Sequence, residues 1–368
     1  MKVALVVPGG VDRSGEYRVI PVLLALIERL TRNHDVQVFA LRQGQDADSW
    51  NLGAARVFNI GAPWTRLRAV RAICRAHRGS RFDIVQAIWS GSCGLVAVTA
   101  AAILRVPSLI HVAGGELVRL PEIDYGGSLR LRSRMRERLV LGAASTVTAA
   151  STPLLQALAL RGVTAQRVPL GVDLQVWPPR APPRRAAGEP ARLVHVASLN
   201  RVKDQTTLLR ALAQLAKSGT RFEMDIVGED TLGGEIQMLA EHLGIAAHIR
   251  FRGFVAQRDL RALVARAHLM IMSSRHEAGP VAMLEAAAVG VPTVGTAVGH
   301  IVEWAPNAAV CVPVADAAAL SNAIQTLLDD EEQRLRIARE AFVRATREDA
   351  DYTARRFQSF YDALTVAQ

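Results

Sequence analysis

The sequence predicts an α/β chain of two doubly wound, parallel-sheet domains, and three observations carry that prediction. Strand-length apolar runs alternate with helix-length amphipathic runs along the chain, the pattern of parallel sheets covered on both faces. At 368 residues the chain exceeds the size at which one hydrophobic core keeps growing, and half its residues are hydrophobic, so each half can bury a core of its own. A Pro-rich stretch, Trp177-Pro178-Pro179-Arg180-Ala181-Pro182-Pro183, interrupts the alternation, because it can continue neither a helix nor a central strand. It reads as a semi-rigid linker over residues 176–190, between a first domain at 1–175 and a second at 191–349.

In the first domain, strands are expected at Lys2–Val7, Asp35–Leu41, Ile84–Ile88, Ser108–His111 and Thr146–Ala149. Helical patterns such as Val19–Leu30 and Gly91–Leu104 lie between them. The second half restarts with Leu193–Ala197 and continues with Glu223–Val227, His248–Phe251, Leu269–Met272 and Thr293–Gly295. Helices then run to about Thr365, and the last, at about 350–366, is a candidate to pack back on the first domain.

Composition narrows the classes of function. There is no apolar run of about 18 residues, and Met1 to Val7 is strand-length without the layout of a signal peptide. A cytoplasmic protein, or one peripheral at the inner face of a membrane, is expected. Cys74, Cys93 and Cys311 form neither a pairing framework nor a metal-ligand spacing, and read as free thiols in a reducing compartment. Charge is uneven: residues 1–175 hold 22 of the 44 Lys and Arg but only 12 of the 34 Asp and Glu, so the whole excess of +10 lies there. Two stretches carry much of it, Trp64 to Arg81 with Arg66, Arg68, Arg71, Arg75, Arg78 and Arg81, and Leu129 to Arg138 with Arg130, Arg132, Arg134, Arg136 and Arg138. Both read as amphipathic helices. Their arginines are either solvated faces or a surface for anionic lipid headgroups or a phosphate-bearing acceptor, at about 1 kcal/mol per charge. No zinc-finger spacing or helix-turn-helix cue points to nucleic acid.

The segment Ser273-Ser274-Arg275-His276-Glu277-Ala278-Gly279-Pro280-Val281-Ala282-Met283-Leu284-Glu285 carries the chemistry. Ala267 to Met272 reads as a buried strand, Gly279-Pro280 as a turn, and Pro280 to Val289 as a helix, with Pro tolerated in the first turn. The helix's free amides and positive dipole end face the strand's carboxyl end, where a diphosphate sits well. Glu277 stands before that anion site, and Glu285 lies roughly 8 Å along the helix. The two acids are placed to hold hydroxyls on opposite sides of one diphosphate. Taken by itself, Glu285 in an Ala-rich helix also reads as a buried structural acid.

The surrounding order is strand, Ser-Ser, Glu, Gly-Pro, helix, Glu-Ala, Gly290-Val291-Pro292, strand, then Gly299. In it the chain resembles the retaining glycosyltransferases of family 4, which carry a Glu, seven residues, Glu signature. The resemblance implies the GT-B fold, two Rossmann-like domains with an interdomain cleft, and the donor in the second domain. It implies that Glu277 holds a donor-sugar hydroxyl, that Ala278, Gly279, Pro280 and Val281 set sugar and phosphate, that Glu285 takes the ribose hydroxyls, and that Gly253 and Phe254 border the base. Val168-Pro169-Leu170-Gly171-Val172-Asp173 looks like the family's linker motif ending Gly-Val-Asp. Val194 to Asp204 resembles the strand and loop that give an Arg and a Lys to the diphosphate. Lys203 falls on the family's lysine, whereas the usual Gly-Arg pair is Ala197-Ser198, leaving Arg201 as the candidate substitute beside Ser198. Such a cation pair offsets the charge of a departing nucleoside diphosphate, so no metal or other cofactor is expected.

His111 stands at a predicted strand's carboxyl end, where α/β proteins bind ligands, and Gly114-Gly115 permits close backbone approach. By resemblance it faces the donor sugar. In the first loop, Gly10 to Gly15 has P-loop spacing, but Glu16-Tyr17 stands where Lys-Ser/Thr is required. Gly15 matches the family's first loop glycine and Glu16 replaces the second. Asp46-Ala47-Asp48 and Asp349-Ala350-Asp351 read as a solvated loop and helix surface rather than a metal motif.

The expectation is a metal-independent, retaining glycosyltransferase that moves a sugar from a nucleoside-diphosphate sugar to a glycan, lipid-linked or small-molecule acceptor held by the basic first domain. A sugar-nucleotide epimerase, or a non-catalytic sugar-nucleotide-binding protein, is the alternative. A UDP-sugar interconverted without acceptor marks the first, and no turnover with any acceptor the second.

Overall fold

The computed structural model describes residues 1–186 and 188–366. They form two compact units, Met1–Gly171 with the chain from Ala350, and Val172–Asp349. In the first unit the strands are β1 (Lys2–Val7), β2 (Asp35–Ala40), β3 (Asp48–Leu52), β4 (Ala55–Asn59), β5 (Ile84–Ile88), β6 (Ser108–Val112), β7 (Thr146–Ala149) and β8 (Gln166–Arg167). Their order is β3-β4-β2-β1-β5-β6-β7-β8. Every pairing is parallel except β3 on β4. β5 and β6 are buried at every residue, because helices cover both faces of the sheet.

The antiparallel edge departs from the sequence reading. Asp48, expected in a polar loop, opens β3, and a two-residue turn at Gly53 returns the chain into β4. Gly53 has φ +57°, a conformation that costs glycine little. Asp48 is ion-paired with Arg13, whose guanidinium lies over the Trp50 ring.

The helix Ala350–Val366 belongs to this first unit. Phe357, Phe360 and Tyr361 join Leu5, Val38 and Leu109 in the core on one face of the sheet. Thr353 Oγ1 donates to Pro169 O at 2.7 Å and accepts from Gly171 N at 2.9 Å. Asp351 is engaged by Arg29 at 3.1 Å and Arg32 at 3.2 Å, so this acid of the second Asp-x-Asp string is a helix anchor.

The second unit holds β9 (Ala191–Val196), β10 (Phe222–Val227), β11 (Ile249–Gly253), β12 (Leu269–Met272), β13 (Thr293–Thr296) and β14 (Val310–Val312). All are parallel, in the order β11-β10-β9-β12-β13-β14. The chain winds one way from β9 to β10 and β11, and the other way from β12 onward, so the strand order reverses between β9 and β12. That is the switch point at which open α/β sheets bind ligands, at the carboxyl ends of the strands.

The Pro-rich stretch is not a linker. Trp177 is buried, Arg180 N donates to Ala288 O at 3.1 Å, and Pro183 O accepts from the fully buried Arg334 at 2.6 Å. Prolines leave their carbonyls and rings available, so the stretch straps across the second unit, and the break between units falls earlier, at Gly171-Val172. Ala187 within the expected linker lies outside the described residues.

Candidate functional site

The site assembles from the loops that follow β9 and β12. After β9 the chain turns through Asn200 to Lys203 into the helix Gln205–Lys217, whose N-cap Asp204 accepts from Thr207 N at 3.3 Å. After β12 comes Ser273 to Pro280, then the helix Val281–Ala288 with Pro280 as its N-cap. The two loops are stitched together: Ser273 Oγ donates to Lys203 O at 2.8 Å, Arg275 N to Val202 O at 2.8 Å, and Arg275 Nε to Asp204 Oδ2 at 3.1 Å. This clasp sets the direction of Lys203. Its Nζ lies 2.6 Å from Glu277 Oε1, which also accepts from Ser274 Oγ at 2.6 Å.

The Glu277 side chain is 9% exposed and that of Lys203 24%, so the pair sits at the bottom of a surface rather than out in water. Both of these bonds fall on Oε1, which leaves Oε2 for a hydroxyl donor, while the ammonium keeps further protons for an anion. Backbone closeness supports Glu277 from behind. Gly299 has φ +50°, and a Cβ there would stand 2.9 Å from Glu277 O and 3.1 Å from Glu277 Cβ. Gly279 likewise has no room for a side chain, because His300 Nε2 would be 2.7 Å from its Cβ.

Glu285 is 6% exposed and accepts from Gln257 Nε2 at 3.1 Å; Trp177 Nε1 in turn donates to Gln257 Oε1 at 3.0 Å. Burial raises the Glu285 pKa to about 7, against the opposing pull of Gln257 and the nearby Trp177 indole. It is therefore poised between acid and carboxylate near neutrality. On the other side of the site, Gly228 passes so close to Ala197 and Ser198 that a Cβ would collide with their backbone, and its N–H donates to Gly253 O at 2.9 Å. Ser198 is exposed, Gly253 has φ +63°, and Phe254 presents a largely exposed ring.

Arg201 lies exposed in the turn before Lys203. Gly15 sits in an exposed loop of the first unit with φ +69°, its N–H donating to Asp12 O at 3.1 Å. Strand β6 runs on to Val112, and His111 is buried, its Nδ1 2.9 Å from Thr148 Oγ1 and its ring edge-on to Phe357. Burial holds it neutral, with a pKa of about 3. It lies under the C-terminal helix with Nε2 buried and without a hydrogen-bond partner, and Ala113 to Glu116 follow at the exit of β6.

Ser274, Asp204, Arg275 and Gln257 complete the arrangement, beyond the site residues expected from sequence. Asp204 ahead of an apolar-periodic run carries a readable N-cap signal. Gln257 and Trp177 meet only through folding and carry none. Among the described residues no group of three or more His, Cys, Asp or Glu is arranged to hold a metal, and no helix is long and apolar enough to cross a membrane.

The fold and this site define a two-unit, doubly wound α/β protein with an anion-and-hydroxyl grip at the switch point of its second sheet. A model of the glycosyl transferases group 1 matches residues 181–344, and one of the glycosyl transferase 4-like domain matches residues 19–171. The chain belongs to this family of group 1, family 4-type glycosyltransferases. Glycogen synthase of Mycobacterium tuberculosis is 32% identical over 178 residues, 48% of this chain and 42% of that protein, so the chain spans under half the length of this relative. Sucrose-phosphate synthase from Thermosynechococcus elongatus superposes over 100% of both chains with a TM-score of 0.82 at 19% identity. Anabaena HepE in complex with UDP-glucose does so over 99% of this chain and 100% of that one, at 0.75 and 20%. These likenesses establish the GT-B fold.

Proposed function

We propose that this protein is a retaining, metal-independent glycosyltransferase that uses a nucleoside-diphosphate sugar as donor, with no cofactor. The observation that carries the reading is the Lys203–Glu277 pair, held by the loop clasp beside the first turn of the helix Val281–Ala288. In it, Glu277 Oε2 accepts a donor-sugar hydroxyl, and the backbone from Ala278 to Val281 lies along the sugar and phosphate. Lys203, with Arg201 alongside, takes the charge that grows on the departing diphosphate, where a preplaced cation acts on the transition state. Glu285 accepts the ribose hydroxyls as carboxylate, Ser198 and Gly253 border the nucleotide with Phe254 over its base, and Gly15 belongs to the loop that approaches the donor. The leaving phosphate takes the acceptor's proton, and the acceptor attacks on the face the diphosphate leaves.

A thermal-shift screen of UDP-, GDP-, ADP- and TDP-sugars tests the donor site: a ligand at about 100 times its dissociation constant adds roughly 2.7 kcal/mol. No shift with any of them defeats the reading. An α-linked donor must give α-linked product, and β product overturns retention; full activity in excess EDTA is the outcome expected of metal independence.

The same reading places the acceptor on the basic first unit, with the protein peripheral at an anionic membrane surface. Its support is the helix Leu131–Ala143, where Leu131, Met135 and Leu139 are exposed, one turn apart, among Arg132, Arg134 and Arg138. Vesicle binding that ignores anionic lipid content, or survives Met135→Ser with Leu139→Ser, defeats it.

A further inference from the structure

The first unit has a switch point of its own, because β1 sends the chain to β2 on one side and is followed by β5 on the other. At the carboxyl ends of these strands lies a cavity of about 1100 Å³, lined by Pro8 after β1, Arg42 after β2, Trp89 after β5 and Glu116 after β6. This is the size of a small-molecule site. Arg66 and Arg136 join Arg42 in its wall, and so does the start of the 13-residue helix Ser92–Leu104 at Gly91, Ser92 and Cys93, whose first-turn amides have no acceptor within their helix. Arg136 Nε is buried without a hydrogen-bond partner.

Two tryptophans close the cavity, and both are in the left-handed conformation, Trp64 with φ +59° and Trp89 with φ +73°. For a bulky residue this is a strained backbone, and strain of this kind collects where a side chain must be held in one direction. Trp64 is 78% exposed, a large flat face spent on no core. A pyranose ring stacks on such a face through its C–H edges. Glu116 stands in the same wall. Its Oε1 accepts Ser90 N–H at 3.1 Å, while Oε2 is buried against Gly114 without a partner.

We infer that this cavity is the acceptor site and that it selects a sugar carrying an anionic group, phosphate or carboxylate, with a hydroxyl of the same sugar held by Glu116. The inference rests on the glycosyl-transfer reading above and adds the acceptor's chemical class. Three cations and a helix start are matched by an anion, the aromatic faces by a sugar ring, and the Glu116 carboxyl in the same wall by a hydroxyl. The anion has two sources, a soluble sugar phosphate or the phosphodiester of a lipid-linked sugar.

Calorimetric titration of the full chain with glucose, glucose 6-phosphate, glucuronic acid and the octyl phosphodiester of glucose tests it without turnover. The charged probes are expected to bind at least tenfold more tightly than glucose, with the preference shrinking as salt rises. Arg136→Gln, and separately the exposed Arg66→Gln, should each cut that preference severalfold, and Glu116→Gln should weaken charged and neutral probes alike. Binding by glucose 6-phosphate assigns the soluble source, and binding by the octyl diester alone assigns the lipid-linked one. Equal binding of charged and neutral probes, an unchanged preference in both arginine variants, or no binding by any charged probe overturns the inference. The same samples are titrated with UDP-, GDP-, ADP- and TDP-sugars: donor binding intact beside a failed acceptor preference sinks this inference alone, whereas loss of both sinks the transfer reading.

Discussion

The two sheets present the same kind of switch point with opposite finish. In the second unit the loops after β9 and β12 are bonded to each other at four places, and the principal cation, Lys203, already has a carboxylate partner. In the first unit the corresponding loops surround a wide cavity whose Arg42 and Arg66 side chains are exposed and whose Glu116 keeps one oxygen without a donor. A grip that must meet one invariant shape, the diphosphate of a nucleotide, is best pre-bonded, because nothing then has to be ordered on binding. A surface whose polar groups await their partners selects a ligand that supplies those partners.

The largest effect is expected from Lys203→Ala, which removes the cation and leaves Glu277 with only Ser274. We expect kcat to fall by about a hundredfold or more, as for loss of one preorganised transition-state donor. If steady-state kinetics show KM rising with kcat unchanged, Lys203 binds the ground state only.

Glu285 tests the same site through pH. Its folded pKa of about 7 lies above the ordinary glutamate value of 4.5, so the folded state retains a proton that the unfolded chain releases. Its contribution to stability therefore declines as pH rises from about 4.5 to about 7 and is level beyond. Glu285→Gln should remove about 3 kcal/mol of that pH dependence, read from urea unfolding at pH 5 and pH 8. Nucleotide affinity should rise through about pH 7 in the parent, as the carboxylate forms, and be flat in the variant.

Gly299→Ala comes next. The added Cβ meets Glu277 O and Cβ at a φ of +50°, so the Glu277 loop must shift. About a tenfold loss of donor-sugar affinity by calorimetry is expected, with the binding of charged sugars to the first unit unchanged. Arg201→Gln should be the smallest, about threefold in kcat, because Arg201 is exposed and outside the clasp. A loss equal to that of Lys203→Ala would give Arg201 an equal share of the charge.

Much of this was legible along the chain. β1, β5, β7 and β12 have the bounds expected from the sequence, because a strand covered on both faces is mostly apolar. The edge hairpin β3 and β4 escaped because Asp48–Leu52 is half polar and its pairing partner, not its composition, makes it a strand. The end of β6 was not legible to the residue: the strand runs one residue past His111, which lies under a helix more than 200 positions later in the chain.

The sequence alone determined what local order can carry: two alternating α/β halves, the excess of positive charge in one of them, and the loop-to-helix order that puts Glu277 before a helix start and Glu285 within it. These follow from periodicity and spacing, which act over a few residues. Only the tertiary structure decided that Lys203 meets Glu277 across 74 positions, that the prolines strap the second unit, that His111 is buried, and that two tryptophans and three arginines share one cavity. Burial and partnership depend on which distant segments pack together, and that is a property of the folded chain rather than of any stretch of it.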